Sequence, residues 1–108
     1  AGAGIVTGGE VPGGELAKGA YYAPTLVTGA AQGSEIVQQE IFGPVIVALP
    51  FDSDEEGLAL ANDTPYGLAA SAWTRDVYRA QTAQRQNERE KLAHHGQNGS
   101  TMSATCWP

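Results

Sequence analysis

The stretch QQEIFGPVIV, residues 38–47, places a carboxylate, an aromatic ring and a Gly-Pro pair directly in front of an apolar run. Glu40 can accept hydrogen bonds with both carboxylate oxygens, and Phe42 offers a flat apolar ring two residues later. On residue types alone, however, a single Glu at the end of a short helix is usually a solvated surface residue. An aromatic residue at the end of an element usually buries area in the core. The residue types alone therefore leave both a ligand site and ordinary structure open.

Two other groups of residues could carry chemistry, and ordinary structure explains each of them better. The stretch GAGIVT has Thr7 where a phosphate-binding G-x-G-x-x-G loop needs its third glycine, and no apolar strand precedes it. His94, His95 and Cys106 are the candidate metal ligands, but adjacent histidines rarely converge on one ion and no fourth ligand is evident. We therefore predict glycine-rich turns near the start of the chain and no metal site.

Length, charge and hydropathy favour a soluble chain with one core. The 108 residues, of which 42% are hydrophobic, suffice for one small domain. Six basic and twelve acidic residues give a net charge of -6, which provides no basic surface for nucleic acid or an anionic membrane. The longest apolar run, Val45–Leu49, is far shorter than the roughly 20 residues of a membrane helix. With one cysteine and no signal peptide, we expect a cytoplasmic protein, and the first residue, Ala1, indicates a fragment.

The elements that must position these residues follow from the periodicity of residues 45–81. The run VIVAL is apolar on both alternating faces, which predicts a strand covered on both sides of a sheet. Ser53 and Glu56 form a capping box at the start of a helix, and LAASAWT, residues 68–74, predicts a second covered strand. Asp76 then begins another helix. A helix between two strands fits a parallel crossover, so the pattern predicts an α/β fold with a β-α-β-α parallel unit.

The pattern ends near Gln81. The segment QRQNEREK has no apolar position to bury, and the residues after it have neither helical nor strand periodicity. We therefore predict a structured part at residues 1–81 and a disordered or irregular polar tail at residues 82–108.

The stretch QQEIFGPVIV resembles the E-E-I-F-G-P-V signature of the NAD(P)-dependent aldehyde dehydrogenases, with Gln39 in place of the first glutamate. GAYYAPTLV ahead of it and PFDSDEEGLALANDTPYGLAASAWTRDVYRA behind it are similar to the same superfamily in the same order. The resemblance extends from about Gly8 to Gln81. It implies part of the catalytic domain of a longer oxidoreductase that uses NAD or NADP to oxidise a small aldehyde to a carboxylic acid, in a family whose complete members are homo-oligomers.

The resemblance also implies a role for three residues. Glu40 matches the glutamate that holds the nicotinamide ribose through its two hydroxyls, a task that suits a carboxylate with two acceptor oxygens. Phe42 matches the aromatic residue that packs beside the same ribose and nicotinamide. Leu68 matches a leucine that lines the nicotinamide pocket, and Gly43-Pro44 resembles the turn that presents Glu40 and Phe42.

The nucleophile motif of the family, a cysteine in a G-Q-x-C-x-A-like stretch, has no counterpart in the sequence, and Cys106 lies downstream of the cofactor signature. No catalytic residue is therefore predicted, and we expect the chain to be inactive alone. The alternative is a non-catalytic α/β module, or one half of a split enzyme, that docks onto a partner chain. A reading-frame error is a further hypothesis for the switch to unpatterned sequence after Gln81.

Overall fold

The computed structural model describes residues 2–66, 69–86, 93–96 and 103–107, the last two segments as backbone only. The chain forms two compact units, Ala1–Leu49 and Pro50–Pro108. The strands are β1 (Gly4–Thr7), β2 (Thr25–Thr28), β3 (Val45–Ala48), β4 (Ala69–Thr74), β5 (Ala93–Gly96) and β6 (Ser103–Trp107). The helices are α1 (Glu35–Gln38), α2 (Asp54–Asn62) and α3 (Val77–Gln86), with a 3₁₀ helix at Gly14–Lys18.

The first unit contains a sheet in the order β1-β2-β3. Strand β1 is antiparallel to β2, and β3 is parallel to β2 with Thr25 opposite Val45. Val27 is buried at the centre of the sheet, whereas Ile46 on β3 is 65% exposed. The prediction that β3 is covered on both faces is therefore corrected for the described residues. An apolar run shows that a strand can be buried on both faces, but a second layer must be present to cover it.

The second unit contains a sheet in the order β5-β4-β6. Strand β4 is parallel to β5 and antiparallel to β6. The core of the unit combines Leu58 of α2 with Ala70, Ala72 and Ala83, and Phe51 packs against this cluster. Small alanine side chains on β4 and α3 allow the helix to approach the sheet closely, which is why a short apolar run suffices to build this core.

The helix starts follow the local signals in the sequence. The Ser53 hydroxyl accepts a hydrogen bond from the Glu56 amide at 3.2 Å, and the Glu56 carboxylate accepts one from the Asp52 amide at 2.8 Å. The first bond confirms the Ser53 half of the predicted capping box, whereas the carboxylate of Glu56 binds the amide of Asp52, one residue before the N-cap, and not that of Ser53. The Asp76 carboxylate accepts a hydrogen bond from the Tyr78 amide at 2.8 Å, and so begins α3 as predicted. Both starts depend on residues within four positions of each other, so the sequence alone predicts them.

The structure confirms the α/β class and the β-α-β-α order of elements, but it differs from the prediction in two respects. Parallel pairing joins β2 to β3 and β4 to β5, and β3 and β4 lie in different sheets. A crossover length allows two strands to be parallel without making them neighbours. The tail, predicted to be irregular, contributes β5 and β6 to the two edges of β4. Backbone hydrogen bonds at a sheet edge need no apolar pattern in the added strand. None of the helices in the described ranges is long and apolar enough to cross a membrane.

Candidate functional site

The segment from Glu40 to Pro44 connects α1 to β3 and is held at its C-terminal end by two backbone hydrogen bonds. The Val45 amide donates to the Gly43 carbonyl at 2.8 Å, which closes a three-residue turn around Pro44. The Thr25 amide donates to the Pro44 carbonyl, also at 2.8 Å, at the point where β2 and β3 begin to pair. The Gly43-Pro44 turn is therefore attached to the sheet by its backbone.

Phe42 has an unusual backbone and an unusual exposure. Its φ of 56° lies in the left-handed region, and within the described ranges no other non-glycine residue has a positive φ. Left-handed backbone at a bulky residue costs about 1–3 kcal/mol and is retained mainly where surrounding structure or function requires it. The residue is also 90% exposed, so burial of apolar area does not compensate for this strain in the chain itself. Phe42 is therefore not a core aromatic residue within the described part of the chain.

Glu40 is also exposed and lies on the same short segment, two residues before Phe42. A carboxylate has two oxygens that can accept hydrogen bonds from the two hydroxyls of a vicinal diol. The structure thus brings two of the three predicted site residues together on one anchored turn. Leu68, the third, lies outside the described residues.

Sequence analysis missed one residue beside this turn. Thr25 is 6% exposed, and its hydroxyl accepts a hydrogen bond from the Gly9 amide and donates one to the Ala23 carbonyl, each at 2.8 Å. A signal was present, because a hydroxyl residue directly after Pro24 begins the strand TLVT. The signal is weak, since threonine is common in strands for its shape alone.

The perturbed titratable groups of the described residues lie in the second unit. The Arg79 guanidinium donates two hydrogen bonds to the Asp54 carboxylate, one of them 2.6 Å long from Nε. Hydrogen bonding to Arg79 lowers the pKa of Asp54, and the same contact raises the pKa of Arg79. The pair joins the first turn of α2 to the first turn of α3, so it is a structural contact. In the described part of the chain, no three His, Cys, Asp or Glu side chains are grouped to hold a metal ion.

The family model for the aldehyde dehydrogenase family matches residues 1–104. The chain therefore belongs to the aldehyde dehydrogenase family. It is 53% identical over 81 residues to the 2-hydroxymuconic semialdehyde dehydrogenase of Pseudomonas sp. (strain CF600), a match that covers 73% of this chain and 17% of the relative. It is 46% identical over 81 residues to the 2-aminomuconic 6-semialdehyde dehydrogenase of Pseudomonas sp., where the coverage is 73% and 16%. The chain thus spans about a sixth of the length of these curated relatives.

Solved structures of aldehyde dehydrogenases also match the chain. The betaine aldehyde dehydrogenase of Staphylococcus aureus in complex with NAD⁺ matches with a TM-score of 0.78 and 34% identity, over 84% of this chain and 18% of that one. A mutant indole-3-acetaldehyde dehydrogenase of P. syringae, in complex with NAD⁺ and IAA, matches with a TM-score of 0.77 and 42% identity, over 84% and 18%. At these identities and scores, the likeness covers both the sequence and the fold of the chain.

Proposed function

We propose that residues 1–81 are part of the catalytic domain of an NAD(P)-dependent aldehyde dehydrogenase and contribute the nicotinamide-ribose site of that enzyme. The observation that carries this proposal is the exposed ring of Phe42 on a left-handed backbone, next to Glu40 on an anchored turn. A strained, exposed aromatic residue has no stabilising role in the chain itself, whereas a ligand that covers the ring supplies one. The family resemblance of the EIFGP segment identifies that ligand as the nicotinamide half of the cofactor.

In this proposal each residue has one task. The two carboxylate oxygens of Glu40 accept hydrogen bonds from the two ribose hydroxyls, and charge-assisted hydrogen bonds of this kind are roughly twice as strong as neutral ones. The Phe42 ring packs against the ribose and the nicotinamide, and Leu68 lines the pocket. A nicotinamide, when bound, supplies the hydride acceptor for aldehyde oxidation. The residues of this chain hold and orient the acceptor, and none of them is the nucleophile.

For the substrate, we propose an unsaturated carboxylic semialdehyde, because the relatives at 53% and 46% identity are named for substrates of that class. For turnover, the proposal requires a thiol nucleophile other than Cys106, from outside the 108-residue sequence, and we expect the chain alone to be inactive towards aldehydes. We also propose that the complete enzyme is a homo-oligomer, which the family resemblance implies, and that it is located in the cytoplasm.

The second candidate function, one half of a split enzyme, is favoured by a different observation. The first unit exposes large apolar side chains, including Ile5 and Val6 on β1 (each 61%) and Ile46 on β3 (65%). Exposed apolar side chains on a small sheet indicate a surface that another layer covers. Mixing the chain with a separately expressed aldehyde dehydrogenase that lacks the matching segment tests this directly, since restored reduction of NAD⁺ supports docking and its absence excludes it.

The main experiment is a chimaera in which residues 1–81 replace the matching segment of the 2-hydroxymuconic semialdehyde dehydrogenase. NADH formation at saturating aldehyde is measured against NAD⁺ concentration for the chimaera and its Glu40→Gln variant. Gln keeps the shape of the side chain and removes the charge, so we expect the KM for NAD⁺ to rise about 10-fold or more, from about 1.5–3 kcal/mol for each hydrogen bond to a charged group.

Glu35→Gln is the matched control, because Glu35 is an exposed carboxylate in the first turn of α1. We expect the KM for NAD⁺ of the Glu35→Gln chimaera to equal that of the unmodified chimaera. An active chimaera in which the Glu40 and Glu35 variants behave alike would contradict the assignment of Glu40 to the ribose.

A further inference from the structure

Thr25 lies beside the Gly43-Pro44 turn and forms hydrogen bonds with three other segments of the first unit, at Gly9, Ala23 and Pro44. It is buried, with 6% of its surface exposed, and each of its hydrogen-bonding donors has a partner. Its hydroxyl accepts from the Gly9 amide and donates to the Ala23 carbonyl, and its own amide donates to the Pro44 carbonyl, each over 2.8 Å. Two of these contacts therefore hold the side chain, and the third reaches the Gly43-Pro44 turn.

The turn at Gly8-Gly9 packs directly on Thr25. A Cβ atom added at Gly8 would lie 2.6 Å from the Thr25 hydroxyl oxygen and 2.2 Å from the Pro24 carbonyl oxygen, and Gly8 has a φ of 77°. Only glycine adopts this backbone easily and leaves room for so close an approach. The hydroxyl of Thr25 is thus enclosed between this turn and its own strand, which restricts the position of the Thr25 backbone.

The position of the Thr25 amide in turn determines where the site segment leaves the sheet. The Pro44 ring restricts φ at that residue, and the hydrogen bond from Val45 to Gly43 closes the turn, so residues 43–45 form one rigid piece. The bond from the Thr25 amide to the Pro44 carbonyl fastens this piece to β2 at the end next to Phe42, where the pairing of β2 with β3 begins. A displacement of the Thr25 amide therefore redirects the segment that carries Phe42 and Glu40.

We propose that Thr25 is a positioning residue of the nicotinamide-ribose site: its hydroxyl, held between Gly9 and Ala23, fixes the amide that anchors the Pro44 carbonyl and so orients Phe42 and Glu40. The inference rests on the proposed function. Thr25 touches neither the cofactor nor the substrate in this proposal, and it acts only through the turn. A purely structural role would predict lower stability on its substitution, with no change specific to the turn.

Amide hydrogen exchange of the full 108-residue chain, followed by NMR, separates the two roles. Thr25→Val keeps the branched shape and removes the hydroxyl, whereas Thr25→Ser keeps the hydroxyl. We expect the Val variant to raise the exchange rate of the Val45 amide by about 5- to 10-fold, as for the loss of one hydrogen bond, and to shift the Phe42 amide resonance. In the Ser variant, the Val45 exchange rate and the Phe42 amide resonance should match those of the unmodified chain. Thr28→Val, at the other end of β2, is the control and should change neither.

The same three variants in the active chimaera supply the functional measurement. We expect Thr25→Val to raise the KM for NAD⁺ by a larger factor than it lowers kcat. Thr25→Ser and Thr28→Val should leave both the KM for NAD⁺ and kcat near those of the unmodified chimaera. A KM for NAD⁺ unchanged by Thr25→Val, or exchange rates at Val45 that match those of Thr28→Val, would overturn the inference. Failure of the unmodified chimaera to reduce NAD⁺ would refute the proposed function instead, and the exchange rates at Val45 would still decide whether Thr25 anchors the turn.

Discussion

Gly57 of α2 tests the packing of the second unit, because the ring of Phe51 lies directly over it. A Cβ atom added at Gly57 would lie 2.9 Å from Cδ2 and Cε2 of Phe51 and 3.0 Å from Cγ. Carbon atoms without a bond between them pack at about 3.5–4.0 Å, so the ring must move by about 0.5–1 Å to accept the methyl group. Phe51 is half-buried against the core of Leu58, Ala70, Ala72 and Ala83, which restricts that movement.

Two opposing effects set the stability of the Gly57→Ala variant. Alanine in a helix interior is favoured over glycine by about 1 kcal/mol. Overpacking a core by one methyl group costs about 1–3 kcal/mol. We therefore expect the variant to be destabilised by about 1 kcal/mol in net terms, because the contact involves three ring atoms, including the one attached to Cβ, and no flexible end of a side chain can absorb it.

Urea unfolding of the chain, followed by tryptophan fluorescence, measures this effect, since Trp73 lies half-buried on β4 of the same unit. Combining Gly57→Ala with Phe51→Leu removes the ring, and the double-mutant cycle should then show the helix-propensity gain of about 1 kcal/mol. Gly13→Ala is the control, because an added Cβ there meets no atom within 4 Å. A Gly57→Ala variant that is stabilised by the full propensity term would show that the Phe51 ring does not restrict this position, and the reasoning would be refuted.

Two further predictions concern charge and strain. The pKa of Asp54 is lowered in the folded chain by its hydrogen bonds to Arg79, so the pair contributes stability above the unfolded pKa of about 3.9, and this contribution is lost as pH falls through the lowered value. The midpoint of urea unfolding should therefore fall less on acidification in Asp54→Asn than in the unmodified chain, whereas removal of the exposed pair of Glu15 and Lys18 should leave the pH dependence unchanged. Phe42→Gly should stabilise the chain by about 1 kcal/mol, because glycine adopts a positive φ without strain, and should raise the KM for NAD⁺ in the chimaera because the ring is lost. Phe42→Ala keeps the strained backbone, so a gain in stability equal to that of the glycine variant would contradict the assignment of strain.

Features that depend on neighbouring residues could be predicted from the sequence. Ser53 and Glu56 lie three positions apart, so the N-cap hydrogen bond between them could be predicted from the sequence and is present in the structure. The EIFGP signature likewise identified the family and placed the candidate site between α1 and β3. The roles of Glu40, Phe42 and Leu68 remain predictions, because they concern a bound cofactor.

Features that depend on distant contacts could not be predicted in this way. The hydrogen bond between Gly9 and Thr25 spans sixteen positions, and no short pattern contains both residues. The pairing of β2 with β3, and of β4 with two strands from the polar tail, depends on which backbone edges remain available after the chain has collapsed. The periodicity of VIVAL indicated an apolar strand correctly but not the exposure of Ile46, which is set by the layers around it.

The sequence by itself therefore determined the family, the order of helices and strands around the site, and the helix starts at Ser53 and Asp76. Short local stretches of sequence determine these properties, because capping hydrogen bonds and turn residues act within about four positions. The tertiary structure decided the partners of each strand, the left-handed backbone and exposure of Phe42, and the burial of Thr25 against the Gly8-Gly9 turn. These features depend on contacts between segments that are far apart in the chain and come together only when the sheet forms. A short sequence pattern does not contain both partners of such a contact, so it cannot predict the contact.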